Sequence, residues 1–412
     1  MYLQRLWIED DEISRELEQS PWTMVEIVSC QGSKMGNLVE TALRQKSVKK
    51  FVLRKIASRL EVCIRAIQLS GFQFLTELTL EVALSERASR YLASALDSGN
   101  AMGDSSTCSI LHLKLERCSF LIPAALTVFA RGLKYNSSLK SLSLTRCKLR
   151  DDDLQVLIPN LPSSLQSLDL TDNFCRIQLS PLIAAASKLQ SLNLTNQHPG
   201  EFGGSLDLWE VGRDLSINHA LTNLDLSFNM LALTDIHGLI DALESNVTLH
   251  TLNLKSNQLD DAAIQYIGER LPDMKGLRRL NITANRFGDH GADALYMGLK
   301  QNCIMTHLEL PRGFAAEDDI NYMLTLNLGG RRLLKFPTTT TTTSGSSADE
   351  PPCENTPQIP LGVWPMVFQR VNHLDLDEMS DATRASVIFF LLQEGPILIG
   401  QEILDKDRMF QN

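Results

Sequence analysis

Three consecutive stretches of the chain carry one arrangement of apolar and polar positions. LTNLDLSFNML (221–231), LHTLNLKSNQL (249–259) and LRRLNITANRF (277–287) place apolar residues at positions 1, 4, 6 and 11 and asparagine at position 9, with starts 28 residues apart. Positions 3 to 7 alternate. That predicts a short strand with positions 4 and 6 facing a core and positions 3, 5 and 7 facing away from it. Between these stretches the apolar spacing turns helical, as in TDIHGLIDALESN (234–246) and DDAAIQYIGERL (260–271), so an outer helix is expected in each repeat.

The frame extends in both directions. LQSLDLTDNFC and LQSLNLTNQHP begin at Leu165 and Leu189, and ILHLKLERCSF and LKSLSLTRCKL, with cysteine at position 9, begin at Ile110 and Leu139. Weaker copies start at Trp22, Val48, Leu75 and Met305, which makes eleven starts separated by 24 to 35 residues. Self-similarity on this scale predicts a solenoid whose core grows by addition of turns. MLTLNLGGRRLL (323–334) also fits the frame, with Met323, Leu326, Leu328 and Leu333 at positions 1, 4, 6 and 11. It is expected to be a short closing rung. Its Gly-Gly-Arg-Arg run does not read as a phosphate loop, because neither GxxxxGK[ST] nor GxGxxG occurs in the chain.

These residues resemble the leucine-rich repeat, LxxLxLxxN/CxL, and the 28-residue period with helical linkers is similar to the ribonuclease-inhibitor-like subclass. The resemblance runs from about Trp22 to Leu334. It implies an α/β solenoid with a curved parallel sheet inside and helices outside, built from about eleven repeats and the closing rung. The tail, LNLGGRRLL followed by a spacer, WPMVF and FFLLQEGP, resembles the C-terminal ends of uncharacterised repeat proteins from diatom-like microalgae.

Local chemistry is read within that frame. Asparagine at position 9 is suited to bonding backbone groups of the neighbouring turn, and a small cysteine fits the same slot. Cys30, Cys118 and Cys147 are therefore expected to be structural. Asp151, Asp261 and Asp289, each four residues after position 9, are expected to cap helix starts. Asn136, Asn218, Asn246 and Asn302, each three residues before a position 1, are expected to end helices in a left-handed turn. The capping role also explains Asp289, His290 and Asp293, which would otherwise suggest a metal site. The sequons at Asn136, Asn193, Asn246 and Asn281 are by-products of the repeated pattern. No catalytic set, cofactor site or metal site is expected.

Four segments follow from composition: a helical cap over 1–21, the solenoid over 22–336, a Thr/Ser/Pro linker over 337–360 and a helical segment over 361–412 docked on the last repeats. The linker has too little apolar content to fold, whereas Trp364, Phe368, Phe389 and Phe390 in the last segment lack a core of their own. Residues 337–412 hold 4 Lys/Arg against 11 Asp/Glu, or −7 of the total −10. With no basic stripe, nucleic acid is not an expected partner. With no apolar run of membrane length and acidic residues near the start, neither is a membrane, and a cytoplasmic or nuclear monomer is expected.

Function is then expected on the concave face. Its N-terminal rungs carry Lys50, Arg54, Glu77, Glu81, His112, Lys114 and Glu116, its centre is small and polar with Asp169 and Asp225, and an insertion over 197–214 adds Phe202 and Trp209. These residues point to non-catalytic binding of a protein partner. The alternatives are a regulator of an enzyme, such as a GTPase-activating protein of the Ran type using Arg54, Arg117 or Arg146, and a ubiquitin-ligase substrate receptor.

Overall fold

In the computed structural model, the described residues are 1–4, 6, 12–56, 60–70, 74–97, 109–120, 122–175, 181–182, 187–197, 208, 214–216 and 218–328. Twelve parallel strands form one open sheet in strict chain order. They are β1 (Tyr2–Gln4), β2 (Met24–Val28), β3 (Lys50–Arg54), β4 (Glu77–Glu81), β5 (His112–Glu116), β6 (Ser141–Thr145), β7 (Ser167–Asp169), β8 (Ser191–Asn193), β9 (Asn223–Asp225), β10 (Thr251–Asn253), β11 (Arg279–Asn281) and β12 (His307–Glu309). Strands β2 to β12 start at position 3 of the eleven repeats, so identical positions pair across every rung, as Leu252 does with Leu224 and Leu280.

The described helices on the other side are α1 (Glu12–Gln19), α2 (Met35–Arg44), α3 (Leu60–Ser70), α4 (Glu86–Leu96), α5 (Pro123–Lys134), α6 (Asp151–Leu157), α7 (Leu233–Ser245), α8 (Asp261–Arg270), α9 (Asp289–Gln301) and α10 (Glu317–Leu328). The leucines at positions 1, 4 and 6 are buried against the helices' apolar faces in one continuous core from Leu3 to Leu324. Burial at roughly 25 cal/mol per Å² makes this core the dominant favourable term.

Two ladders of side chains run along it. At position 9, the amide nitrogen of Asn173 donates to Leu144 O (2.8 Å) and that of Asn257 to Leu226 O (3.1 Å). The Oδ1 of Asn257 accepts from the Asn229 and Leu231 amides, and that of Asn285 from the Asn257 and Leu259 amides. Cysteine is a one-donor version of the same device: the thiols of Cys30, Cys118 and Cys147 donate to Leu3 O, Leu80 O and Leu115 O. Position 8 turns the chain inward. Nine residues there, from Ser29 to Ala284, have φ between 51° and 61°.

The second ladder corrects an expectation. Asn246 and Asn302 end their helices with extended backbone (φ −78° and −79°), not in the left-handed turn. Their amides donate to Leu215 O and Leu271 O of the preceding turn, while Oδ1 accepts from the Leu249 and Met305 amides. The aspartates are corrected too. Asp260, not Asp261, caps α8 through the Ala263 amide. Asp261 reaches forward to the Gly288 and Gly291 amides at the start of α9, and these bonds hold its carboxyl below the usual carboxylate range. Asp289 likewise accepts from the Ala315 amide of the next turn. At α6 the N-cap is Arg150, whose amide donates to Asp153.

Both ends of the solenoid differ from their sequence reading. The expected helical cap over 1–21 opens with strand β1, because Tyr2–Gln4 pairs with Glu26–Val28 and Leu3 falls in the position-6 phase opposite Ile27. The described part of the segment read as a closing rung, 323–328, is not a strand. As far as Leu328 it is part of α10, in which Ile320, Leu324, Leu326 and Asn327 are buried. Ile320, Met323, Leu324 and Asn327 have helical spacing, which prevails over the partial LxxLxL match. Asn327 continues the second ladder, donating to Asn302 O (3.0 Å) and Met305 O (2.8 Å). The expected linker, the C-terminal segment and Arg331 lie outside the described residues.

Candidate functional site

Positions 3, 5 and 7 of every rung project from the concave face, and strand register decides which of them meet. Lys50 lies opposite Glu77, and Glu77 opposite His112; Arg54 lies opposite Glu81. The charges foreseen on the N-terminal rungs are thus brought together, and they bond to one another. Lys50 Nζ is 3.0 Å from Glu77, and Lys114 Nζ is 3.2 Å from Glu116. Arg54 bridges Glu26 (3.4 Å) and Glu81 (3.8 Å), and Arg117 reaches Glu81 from the following rung at 3.3 Å. Glu81 is buried, as are Thr79 and Val52 beside it, so this floor is tighter than a solvated strand face. His112 and Lys114 are exposed on it.

The centre is knitted by short hydrogen bonds. Asp169 accepts from Ser143 Oγ (3.0 Å), Thr145 Oγ1 (3.2 Å) and Thr171 Oγ1 (2.6 Å). Asp225 accepts from the Ser227 amide and hydroxyl and from Asn253 Nδ2 (2.8 Å). The Asn193 and Asn281 carbonyls accept from the hydroxyls of Thr195 and Thr283 two residues on. Asn136 and Asn246 do the same with Ser138 and Thr248. All four sequons are therefore local turns of the repeat, in which the asparagine's oxygen and the hydroxyl at +2 satisfy each other.

Toward the C-terminal rungs the face opens into a polar basin of about 360 Å³ lined by residues including Asn223, Asp225, Asn253, Arg279, Asn281 and Glu309. This basin was not legible in the residue types, since only register places Arg279 between Thr251 and His307. Phe202 and Trp209 lie outside the described residues. Among the described residues no group of three or more His, Cys, Asp or Glu converges to hold a metal, and no helix is long and apolar enough to cross a membrane.

The described cysteines are free thiols. Burial pushes those of Cys63 and Cys118 up to about 12, and raises those of Cys147 and Cys175 well above the ordinary thiol value. Such groups stay protonated at neutral pH and are poor nucleophiles. The arginines considered for GTPase regulation are engaged as well, with Arg146 Nε 2.6 Å from Asp172.

Comparison with known proteins bears on the same repeats. The leucine-rich-repeat family model matches residues 135–157 and 245–268. A NACHT, LRR and PYD domains-containing protein 5 from Bos taurus is 30% identical over 228 residues, covering 47% of this chain and 21% of that protein. Ribonuclease inhibitor from Sus scrofa is 27% identical over 270 residues, covering 54% of this chain and 59% of the inhibitor. The chain thus matches about a fifth and about three-fifths of the lengths of these relatives. An internalin structure from Listeria monocytogenes aligns with a TM-score of 0.40 at 16% identity, over 73% of this chain and 84% of that one. The register-locked strands, the asparagine ladder and the matched repeats together make this chain an α/β leucine-rich-repeat solenoid whose repeats are similar to those of ribonuclease inhibitor.

Proposed function

We propose that the solenoid is a non-catalytic scaffold that binds a protein partner against its concave face. The observation that carries this reading is an unbroken sheet twelve strands wide whose outward side chains are ordered in lateral rows. At ~4.8 Å per strand it spans roughly 50 Å, room for an interface of about 800 Å² per partner. A relative named for inhibiting ribonuclease supports binding of protein. Arg54, Arg117 and Arg146 are each held by carboxylates of the chain itself, which favours the scaffold over a regulator that inserts an arginine into an active site.

Within that face the N-terminal rungs are the proposed contact, because Lys50, Glu77, His112 and Lys114 present alternating charge on three adjacent strands. The test spares Arg54. Reversing its charge would leave buried Glu81 beside a new acid and cost several kcal/mol, on the order of 3, so a loss of binding could reflect misfolding. Lys50→Ala and Lys114→Ala remove only exposed ends of ion pairs, worth roughly 0–1 kcal/mol each. Affinity capture with cross-linking from the native cell should recover a protein with the wild-type chain and lose most of it with the double variant at unchanged circular dichroism. Full retention by the double variant would move the contact off these rungs.

A further inference from the structure

A second surface lies at the other end of the molecule, where the C-terminal concave floor meets the turns that follow the strands. Phe228 and Met230 are 47% and 52% exposed, and both have left-handed backbone, with φ of 61° and 54°. Bulky side chains rarely adopt that conformation. The other left-handed residues of these turns are polar or small, from Lys55, Arg117 and Arg146 to Asn196, Ser256 and Ala284, and none is a large apolar side chain. The turn itself therefore does not call for a phenylalanine and a methionine, and neither is buried in the core.

The rungs that follow carry four cations. The Phe228 amide donates to Lys255 O, which sets the two residues side by side. Arg279 projects from the adjoining strand β11. On the turns, hydrogen bonds from Gln258 to Leu231 and from Arg286 to Leu259 step from the Met230 rung to Arg286, and Arg312 follows on the last rung. Arg279, Arg286 and Arg312 are exposed. Among the described residues none of the four cations has a carboxylate within ion-pair distance, whereas Lys50, Arg54 and Lys114 are each paired. The acids of these rungs are engaged by neutral donors: Asp225 and Glu309 accept from Asn253 and Asn281, and on the turns Asp260, Asp261, Asp289 and Glu317 accept from backbone amides.

We infer that this end is a docking surface for an acidic, apolar segment of a partner protein, with Phe228 and Met230 as apolar anchors and Lys255, Arg279, Arg286 and Arg312 as the countercharges. Exposed apolar side chains beside uncompensated cations are complementary to that chemistry: the anchors supply burial, and the cations select carboxylates over neutral or basic sequences. On a chain of net charge −10, an acidic ligand is repelled elsewhere and steered here. The inference shares with the proposed function only that the solenoid binds protein, and it uses different rungs.

The probe is a fluorescein-labelled peptide of alternating aspartate and leucine, titrated with the full chain and read by anisotropy. Binding should weaken as salt is added. Lys255→Gln with Arg279→Gln should weaken it by about tenfold or more, and Phe228→Ser with Met230→Ser should abolish it while circular dichroism stays unchanged. Lys50→Ala with Lys114→Ala should have no effect, which separates failure here from failure of the N-terminal contact. No binding of the probe, or binding indifferent to both variant pairs, would overturn the inference. So would a carbodiimide cross-link, in the isolated full chain, between Lys255 and a carboxylate beyond residue 336, because the chain's own acidic end would then occupy the surface.

Discussion

Asn257 makes its place in the chain legible at a single residue. Its carboxamide donates to Leu226 O and Leu254 O and accepts from two amides of the preceding rung, so one side chain satisfies backbone groups that no sheet ladder reaches. Asn257→Leu should cost about 3–5 kcal/mol, since the leucine fits the volume but orphans buried donors and acceptors. Asn257→Cys should cost less, because a thiol still serves one carbonyl, as Cys147 does for Leu115. Urea denaturation of the two variants checks the order; equal losses would mean that the ladder matters only as packing. The sequence made position 9 readable because the task recurs in every rung. It did not reveal that Asp261 caps the next helix instead of its own, because a residue four places after position 9 has two helix starts within reach and only the curvature chooses between them.

Helices α8 and α9 meet where neither carries a side chain. A Cβ added to Gly298 would lie 2.2 Å from Gly268 O, and one added to Gly268 would lie 2.5 Å from Ala294 O. Glycine to alanine in an exposed helix interior stabilises by about 0.5–1 kcal/mol. Gly298→Ala should do the reverse and destabilise by about 1–3 kcal/mol, because two backbones must separate to admit the methyl group. A raised melting temperature for this variant would show that the helices can spread freely. Strands were the most readable elements, since the two-residue period and the repeat agreed on eleven of them. The exceptions lay at the ends. With three residues and a single inward side chain, β1 offered no pattern to detect, and in α10 the rung frame and the helical spacing competed within the same leucines.

Across the whole molecule the two kinds of position-9 residue are unevenly distributed. Among the buried thiols with raised values, Cys118 and Cys147 hold position 9, Cys63 lies in α3 and Cys175 at position 11, and all four fall in the N-terminal half, while amide side chains hold position 9 from Asn173 through Gln197 to Asn285. Unfolded, these thiols ionise near the ordinary thiol value of 9.0; folded, Cys63 and Cys118 do so only at about 12. Above pH 9 the unfolded state binds fewer protons than the folded one. Stability therefore falls as pH rises, by up to about 1.4 kcal/mol per pH unit for each thiol. Among the described residues no buried thiol lies beyond Cys175. Brief proteolysis at pH 10 should cut first among the N-terminal rungs, and Cys118→Ala with Cys147→Ala should flatten the alkaline fall in urea midpoint. Cleavage beginning among the C-terminal rungs would contradict this account.

Each rung of the ladder addresses its neighbour in the same words. Leu226 O and the Asn229 amide are met by Asn257, while Leu254 O and the Asn257 amide are met by Asn285. If residues 249–276 were excised, the groups freed on one side would be those that the next asparagine already serves, and 28 residues would leave without a new kind of contact being required. Length in such a chain is set by how many copies the gene happens to hold. Duplication or loss of one central period, between β6 and β9, would slide the two proposed surfaces nearer or farther apart while leaving the rungs that carry each of them in place.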